Sequence, residues 1–567
     1  VSVDESKSDG DESQEVLDEK PDITAEPDQL PEPAASQETE SETETGSGPV
    51  RNPKHAEAIG KTFGLVAILT FASKFVGLAR DIVIMQAFGT SKTTDYYYFA
   101  NLVTGNFLVL FGGLGGPFHS SAVSVMAARK DSPDIGKLTG QVLMVTSIIL
   151  SVLTVLIYLL APFVIPIVIP NADPKEVLTN LDIMLPMIII TGLVGVGAGI
   201  SNTFKEYFWP SLAPAMASIA IIAAVLLYPE AGGICLAVGT LLGAVGQFLV
   251  QLPGIMKSRP ELTSLGKLEG GVKEYFHMLG PAAISTSIGQ LNVYIDVFFM
   301  SGLAVGSYTA LLNANKLIQL PLGVLVVSMI VPLLPRFTKQ VADGEIDALK
   351  DQFRRAVRVV WFMVLPLVTL MLAMPGPIVR LLFQRGQFDE QSTQLVVLAL
   401  SYLIPSSFFY VARDILTRIF YAHQDSTTPF RIGMAALIVK ALGDWLLVGP
   451  LGLGGIALST TIVTIFNMTM LAICARKKIG SLGLRTMVVP AVIMIGSSAV
   501  CGVVASFCQS FIIAYLTLPG KVGAFVSLGL SIAVAAAIGL FIYVAICLLL
   551  RLEEPALALK RIRKRIG

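Results

Sequence analysis

The sequence predicts an all-α polytopic membrane protein with about fourteen transmembrane helices: two pseudo-symmetric six-helix lobes and two C-terminal helices. Three observations carry that reading. Hydrophobic residues make up 53% of the 567 and charged ones only 14%, and the mean hydropathy of +0.70 lies far above that of a soluble enzyme. Runs of roughly 20 apolar residues, the length that crosses about 30 Å of hydrocarbon as a helix, recur along the chain. Proline and glycine landmarks in those runs return at a separation near 215 to 220 residues.

The chain opens on an acidic tail, residues 1–57. Its first 50 residues hold 16 Asp or Glu against Lys7 and Lys20, are rich in Ser, Pro and Thr, and lack the apolar surface to fold. The tail is therefore expected to be disordered, serving either as a solvated segment or as a docking arm. It is too acidic to be a transit peptide itself, and the missing initial Met is read as a trimmed chain or a removed targeting peptide. Beyond residue 50 stand 39 Lys or Arg against 25 acids, so the membrane body is basic.

The apolar runs begin near Phe63, Tyr96, Leu138, Leu181, Trp209 and Gly232 in a first lobe, residues 58–260. They resume near Tyr275, Tyr308, Val357, Leu395, Ile432 and Gly454 in a second, residues 261–480. Met487 and Val522 open a final pair, residues 481–552, before a basic tail, 553–567.

In the first run, Lys74, Gly77 and Asp81 share a helix face, with Arg80 about 100° to the side. Charge at bilayer depth is costly unless it lines a polar cavity. Two cations with one carboxylate suit a phosphate, Arg supplying a planar fork and Lys a point charge; an intramembrane salt bridge is the other reading. Asp95 opens the second run, where it is a binding acid or a helix cap. That run continues into Gly112, Gly113, Gly115, Gly116 and Pro117, which lack the Lys-Ser/Thr of a phosphate loop and are read as a hinge.

Positive charge gathers in alternate loops: Arg129, Lys130 and Lys137; Lys257, Arg259 and Lys273; Arg336, Lys339 and Arg354; Arg476, Lys477 and Lys478. The positive-inside rule then places both termini on the cytoplasmic-type side, and the basic tail suits anionic lipid.

The duplication is visible residue by residue. Leu185-Pro186 and Trp209-Pro210 answer Ile404-Pro405 and Thr428-Pro429; Gly232-Gly233-Ile234 answers Gly454-Gly455-Ile456; Ala100-Asn101 answers Ala314-Asn315. Six helices per copy put both copies in the membrane the same way, a parallel repeat whose substrate site is expected between lobes near the midplane.

The second lobe places Lys316 in a run without a nearby carboxylate, so it needs a distant partner or a ligand anion. Asp414 and Arg418 form an i,i+4 pair beside Arg413. Asp296, with Lys440 and Asp444, is a second set that either neutralises itself or couples an ion. The five cysteines lack metal-ligand spacing, and no catalytic or metal constellation appears.

Several stretches resemble the MurJ (MviN) family: Ser73 to Asp81, Ala87-Phe88-Gly89, Thr94-Asp95, Asn315 to Val324, Val331 to Pro335, Leu382 to Phe388, and Phe420 to Pro429. The likeness covers about residues 60 to 550. It implies a lipid II flippase of the multidrug/oligosaccharidyl-lipid/polysaccharide exporter superfamily, working by alternating access, with the last two helices forming a lipid groove. Carried over position by position, the substrate-binding set is Lys74, Arg80, Asp81, Asp95, Asn315, Lys316 and Gln319. The family's Asp-Arg pair reads Asn315-Lys316 here, a family Glu reads Gln319, and a helix 2 Arg falls at about Leu108. Asp296 and Asp444 match a sodium site of some members, with Lys440 where an Asn would stand.

The resemblance implies no cofactor, with coupling to the membrane potential or a monovalent cation left open. Expected partners are lipid II or a similar polyprenyl-pyrophosphate glycolipid, membrane lipids and wall-synthesis or division proteins, with no nucleic acid. The Gly-rich stretch resembles cyanobacterial and plastid versions, so the expected location is the chloroplast inner envelope, or else a cyanobacterial inner membrane. Export of another glycolipid or small solute, and a non-transporting scaffold, are the other readings.

Overall fold

The computed structural model describes residues 53–107, 116–261, 268–330, 332–516 and 518–555. The acidic tail up to residue 52, Leu108, Gly112, Gly113, Gly115 and the basic end from 556 lie outside the described residues. Among the described residues there are nineteen α-helices and no strand. In chain order they are α1 (Pro53–Phe88), α2 (Lys92–Phe107), α3 (Pro117–Ala127), α4 (Ile135–Val168), α5 (Pro174–Met184), α6 (Met187–Thr203), α7 (Phe208–Leu227) and α8 (Gly233–Ile255). Then follow α9 (Gly270–Met300), α10 (Ser307–Ile330), α11 (Leu333–Ala342), α12 (Ile346–Ala373), α13 (Pro375–Phe383), α14 (Glu390–Leu403), α15 (Ser406–Ala422), α16 (Thr427–Leu451) and α17 (Leu453–Ile479). Last come α18 (Arg485–Tyr515) and α19 (Gly520–Leu549).

Eight of the described helices are long and apolar enough to cross a membrane, or ten if each of two bent pairs is one span. A multi-pass membrane protein stands on that count, whereas the expected fourteen is not confirmed. The bent pairs are α5 with α6, at 40°, and α14 with α15, at 45°, and they break at Leu185-Pro186 and Ile404-Pro405. Proline disfavours helical geometry in the residue before it and lacks the N–H that would continue the ladder.

The backbone draws the same figure twice. Left-handed residues fall at Gly89 and Gly306, Lys205 and Gln424, Gly232 and Gly452, and Arg259 and Gly480, always 217 to 221 positions apart. Lys205 and Gln424 end α6 and α15 alike. In each case the next N–H reaches back to a carbonyl five residues earlier, Glu206 to Ser201 at 2.8 Å and Asp425 to Phe420 at 2.9 Å.

Small residues let helices approach. Gly239 and Gly243 of α8 lie against Ile221 and Ala217 of α7, where a Cβ would come within 3.0 and 2.8 Å of their Cα atoms. Lipid is as apolar as leucine, so such close packing, rather than hydrophobic burial, holds spans together. α18 and α19 pair with each other and dock on α12, where the Tyr543 hydroxyl donates to the Phe362 carbonyl at 3.0 Å and Arg358 meets Glu554 at 2.5 Å.

Asp425, in the loop before α16, accepts from the Thr428 N–H at 2.9 Å and from Lys478 at 2.7 Å. The Lys478 bond, above all, lowers its pKa from 3.8 to about 2. A depressed carboxylate stabilises the fold above its unfolded pKa and loses that contribution as pH falls. The stability difference between wild type and Lys478→Met is therefore expected to be flat from pH 8 to about 4 and to shrink toward pH 2, as read by thermal unfolding in detergent.

Candidate functional site

Arg80 and Asp81 of α1 and Lys316 of α10 converge on one atom. Asp81 Oδ1 accepts from Arg80 Nη2 at 2.9 Å, from Arg80 Nε at 3.1 Å and from Lys316 Nζ at 2.9 Å. The distant partner that Lys316 required is thus Asp81, 235 residues away. The carboxylate side chain is only 8% exposed, while Arg80 and Lys316 keep 27% and 35%. One buried acid holds two cations that still face open space, leaving a formal charge of +1 for an incoming anion.

That space is a cavity of ≈ 320 Å³ bounded by α1, α2, α6, α7, α8, α9 and α10. Its volume falls at the lower end of ligand pockets, about 300–1,000 Å³. Lys316 Nζ also sits 5.2 Å from the centre of the Tyr98 ring, whose π-face favours a cation.

The other expected binding residues lie elsewhere. Lys74, some 9 Å along the α1 axis from Arg80, is exposed beside Gly323 of α10 and has no carboxylate partner among the described residues. Asn315 is half-buried and Gln319 exposed, and neither lines the cavity. Gly116 precedes α3 in extended backbone and Pro117 is that helix's first residue, which fits a proline that needs no donor there.

Asp95 requires a correction. It caps α10 rather than its own helix: Oδ2 accepts from the Gly306 N–H at 2.6 Å, and Oδ1 from the Thr309 N–H at 2.9 Å and the Thr309 hydroxyl at 2.7 Å. The carboxylate meets orphan donors at a helix N-terminus, where the dipole also favours it. No sequence spacing links residue 95 to residue 306.

Asp95 belongs to a seam at the end of the molecule opposite the basic loops. Gln387 N–H donates to the Gln86 carbonyl at 2.9 Å and Thr90 bonds Ser392 at 2.8 Å. Gly89, Gly306 and Gly386 all have positive φ here, and a Cβ on any of them would strike backbone across the seam within about 2.5 Å. At the basic end, Arg129 meets Glu274 of α9 at 2.5 Å, but both side chains are more than a third exposed.

The second charged set closes on itself. Lys440 Nζ lies 2.5 Å from Asp296, 2.9 Å from Asp444, 3.0 Å from the Thr460 hydroxyl and 3.4 Å from the Ile456 carbonyl. The ammonium is 2% exposed and ties α9, α16 and α17 together. Asp414 and Arg418 pair loosely at 4.0 Å, and Arg413 stacks on Tyr410.

Sequence reasoning missed Tyr97, Tyr98, Asn101, Thr240 and Gln247, all on the cavity wall. A signal existed in α2, whose Tyr-Tyr-Tyr-Phe run and Asn101 make a polar face inside an apolar region.

A family model described as the lipid II flippase MurJ matches residues 84–550. A probable lipid II flippase of Synechocystis sp. is 30% identical over 454 residues, covering 76% of this chain and 84% of that protein. A lipid II flippase of Burkholderia cenocepacia is 29% identical, covering 73% and 83%. Among solved structures, a lipid II flippase in an inward closed conformation matches with a TM-score of 0.67 at 21% identity, covering 84% of this chain and 97% of the other. An inward-facing multidrug transporter of the MATE family matches at 0.59 and 15% identity, covering 73% and 98%, a likeness of fold.

Proposed function

Because the chain belongs to the MurJ family of lipid II flippases, we propose that its cavity carries the pyrophosphate-linked headgroup of lipid II across the membrane by alternating access. The protein is a membrane transporter, not an enzyme. The observation that supports the site is the charged triad: two cations on the cavity wall, fixed by one buried carboxylate, with their outer faces free for phosphate oxygens. A small-cation exporter would require the opposite sign. The test is rescue of a bacterium depleted of its own lipid II flippase, scored by lipid II reaching the outer leaflet. Lack of exposure despite correct insertion would overturn the assignment.

Both ends of the cavity carry contacts between distant parts of the chain. A buried carboxylate and interlocked backbone hold the outer end, while at the basic end the buried Tyr275 ring packs on Phe118, Gln141 accepts from the Glu269 N–H at 2.9 Å and Arg129 pairs with Glu274. The headgroup would enter from the cytoplasmic-type leaflet. The two six-helix lobes, residues 58–260 and 261–480, would move against each other.

The Lys440 ammonium is proposed to stand permanently where a monovalent cation would otherwise bind, its four oxygen neighbours being those a small cation needs. Transport is then expected to be unchanged when potassium replaces sodium. Lys440→Asn leaves Asp296 and Asp444 facing each other, a loss of about 3–5 kcal/mol, and sodium should raise the melting temperature of that variant but not of wild type. Sodium-dependent transport by wild type would sink the idea.

The chloroplast inner envelope is the proposed location, supported by the cyanobacterial relative and the Gly-rich stretch after α2; a fluorescent fusion imaged in the source cells tests it. Residues 1–50 are the proposed contact for wall-synthesis or division proteins, through their negative charge.

A further inference from the structure

Beside the charged triad, one wall of the cavity is polar yet uncharged, and pyrophosphate binding makes no use of it. Tyr97, Tyr98, Asn101 and Gly105 fall at i, i+1, i+4 and i+8 on one face of α2, and Thr240 and Gln247 lie two turns apart on α8. Tyr97 and Thr240 satisfy each other at 2.8 Å. The rest do not: the Asn101 and Gln247 amides have no hydrogen bond among the described residues, and the Tyr98 hydroxyl is buried without a partner on a side chain 6% exposed. Buried polar groups are normally paired, so an orphaned hydroxyl beside two unused amides calls for a ligand. Gly105 fits that role, since a Cβ there would press on Asn101 Oδ1 at 3.0 Å.

We propose that Tyr98, Asn101 and Gln247 form a neutral subsite that hydrogen-bonds the acetamido and hydroxyl groups of the sugar joined to the pyrophosphate. An amide side chain both donates and accepts, which matches an acetamido group, and an uncharged sugar needs no countercharge. Tyr98 spans the two subsites, its ring facing Lys316. A site built this way discriminates against a lipid that lacks the sugar, because binding that lipid leaves its polar groups unpaired. The inference rests on Arg80 and Lys316 being the pyrophosphate site.

The test measures binding of two probes to the purified full chain: polyprenyl pyrophosphate alone, and the same lipid bearing an N-acetylated disaccharide. Wild type is expected to prefer the glycosylated lipid. Tyr98→Phe, which removes only the hydroxyl, and Asn101→Leu and Gln247→Leu should each lose about five- to tenfold on the glycosylated lipid and stay within about twofold on the bare one. Equal affinity of wild type for both probes, equal losses on both, or no loss on either overturns the subsite. Failure of the pyrophosphate reading shows separately, as Arg80→Ala holding the bare lipid as wild type does.

Discussion

Arg80→Ala is expected to abolish lipid II translocation while leaving the protein inserted, and Lys316→Ala to do the same. Each removes one of the two cations around Asp81, so the triad's formal charge falls from +1 to zero. A charge-assisted hydrogen bond contributes about 1.5–3 kcal/mol, and a guanidinium makes two to a pyrophosphate. The loss from Arg80→Ala is therefore about 3–6 kcal/mol, two orders of magnitude or more in substrate affinity. Arg80→Lys keeps the charge but not the fork and should retain partial activity. Lipid II exposure on the outer leaflet, measured with membrane-inserted protein matched to wild type, decides the matter. Normal exposure from both alanine variants would remove the triad from the mechanism.

Asp95→Ala carries the second large effect, for a different reason. Its carboxylate, 7% exposed, accepts three hydrogen bonds from the first turn of α10. Deleting it strands two backbone N–H groups and a hydroxyl across the outer seam, at a cost of about 3–5 kcal/mol, the range for breaking a buried charged contact. The outer end then opens without substrate. Transport should fall at least tenfold, and a cysteine introduced at Thr240 on the cavity wall should become reactive to a membrane-impermeant thiol reagent applied from outside. Arg129→Ala, at the exposed pair of the other end, should change transport less than twofold. Unchanged labelling in Asp95→Ala would show that the seam does not depend on this cap.

The contrast between these residues marks what a linear reading reaches. Arg80, Asp81 and Lys316 stand out because charge inside an apolar run is rare and costly, so their presence alone announces a polar site. Lys440 and Asp444 were legible as a pair from their i,i+4 spacing, and Asp296 joined them as another charge inside an apolar run. Asp95 was placed on the right helix, but the helix it caps was not legible, because a cap on a distant segment leaves no trace in local spacing. Tyr98, Asn101 and Gln247 were given no part in the site, since neutral polar residues inside membrane helices are common and most satisfy themselves on the preceding turn, as Thr240 does on Leu236. Only knowledge of which groups remain unpaired singles them out.

Membership of the membrane class, the duplication and the breaks at Leu185-Pro186 and Ile404-Pro405 are properties of the sequence itself. They follow from hydropathy per residue and from proline's missing donor, which act within a helix turn whatever the rest of the chain does. Tertiary structure alone decided that Asp81 pairs with Lys316, that Asp95 closes the outer seam and that Lys440 fills a cage of oxygens. Those contacts join residues far apart in the chain or helices whose rotation is set by packing, and a charge finds its partner only once the helices have fixed which faces meet.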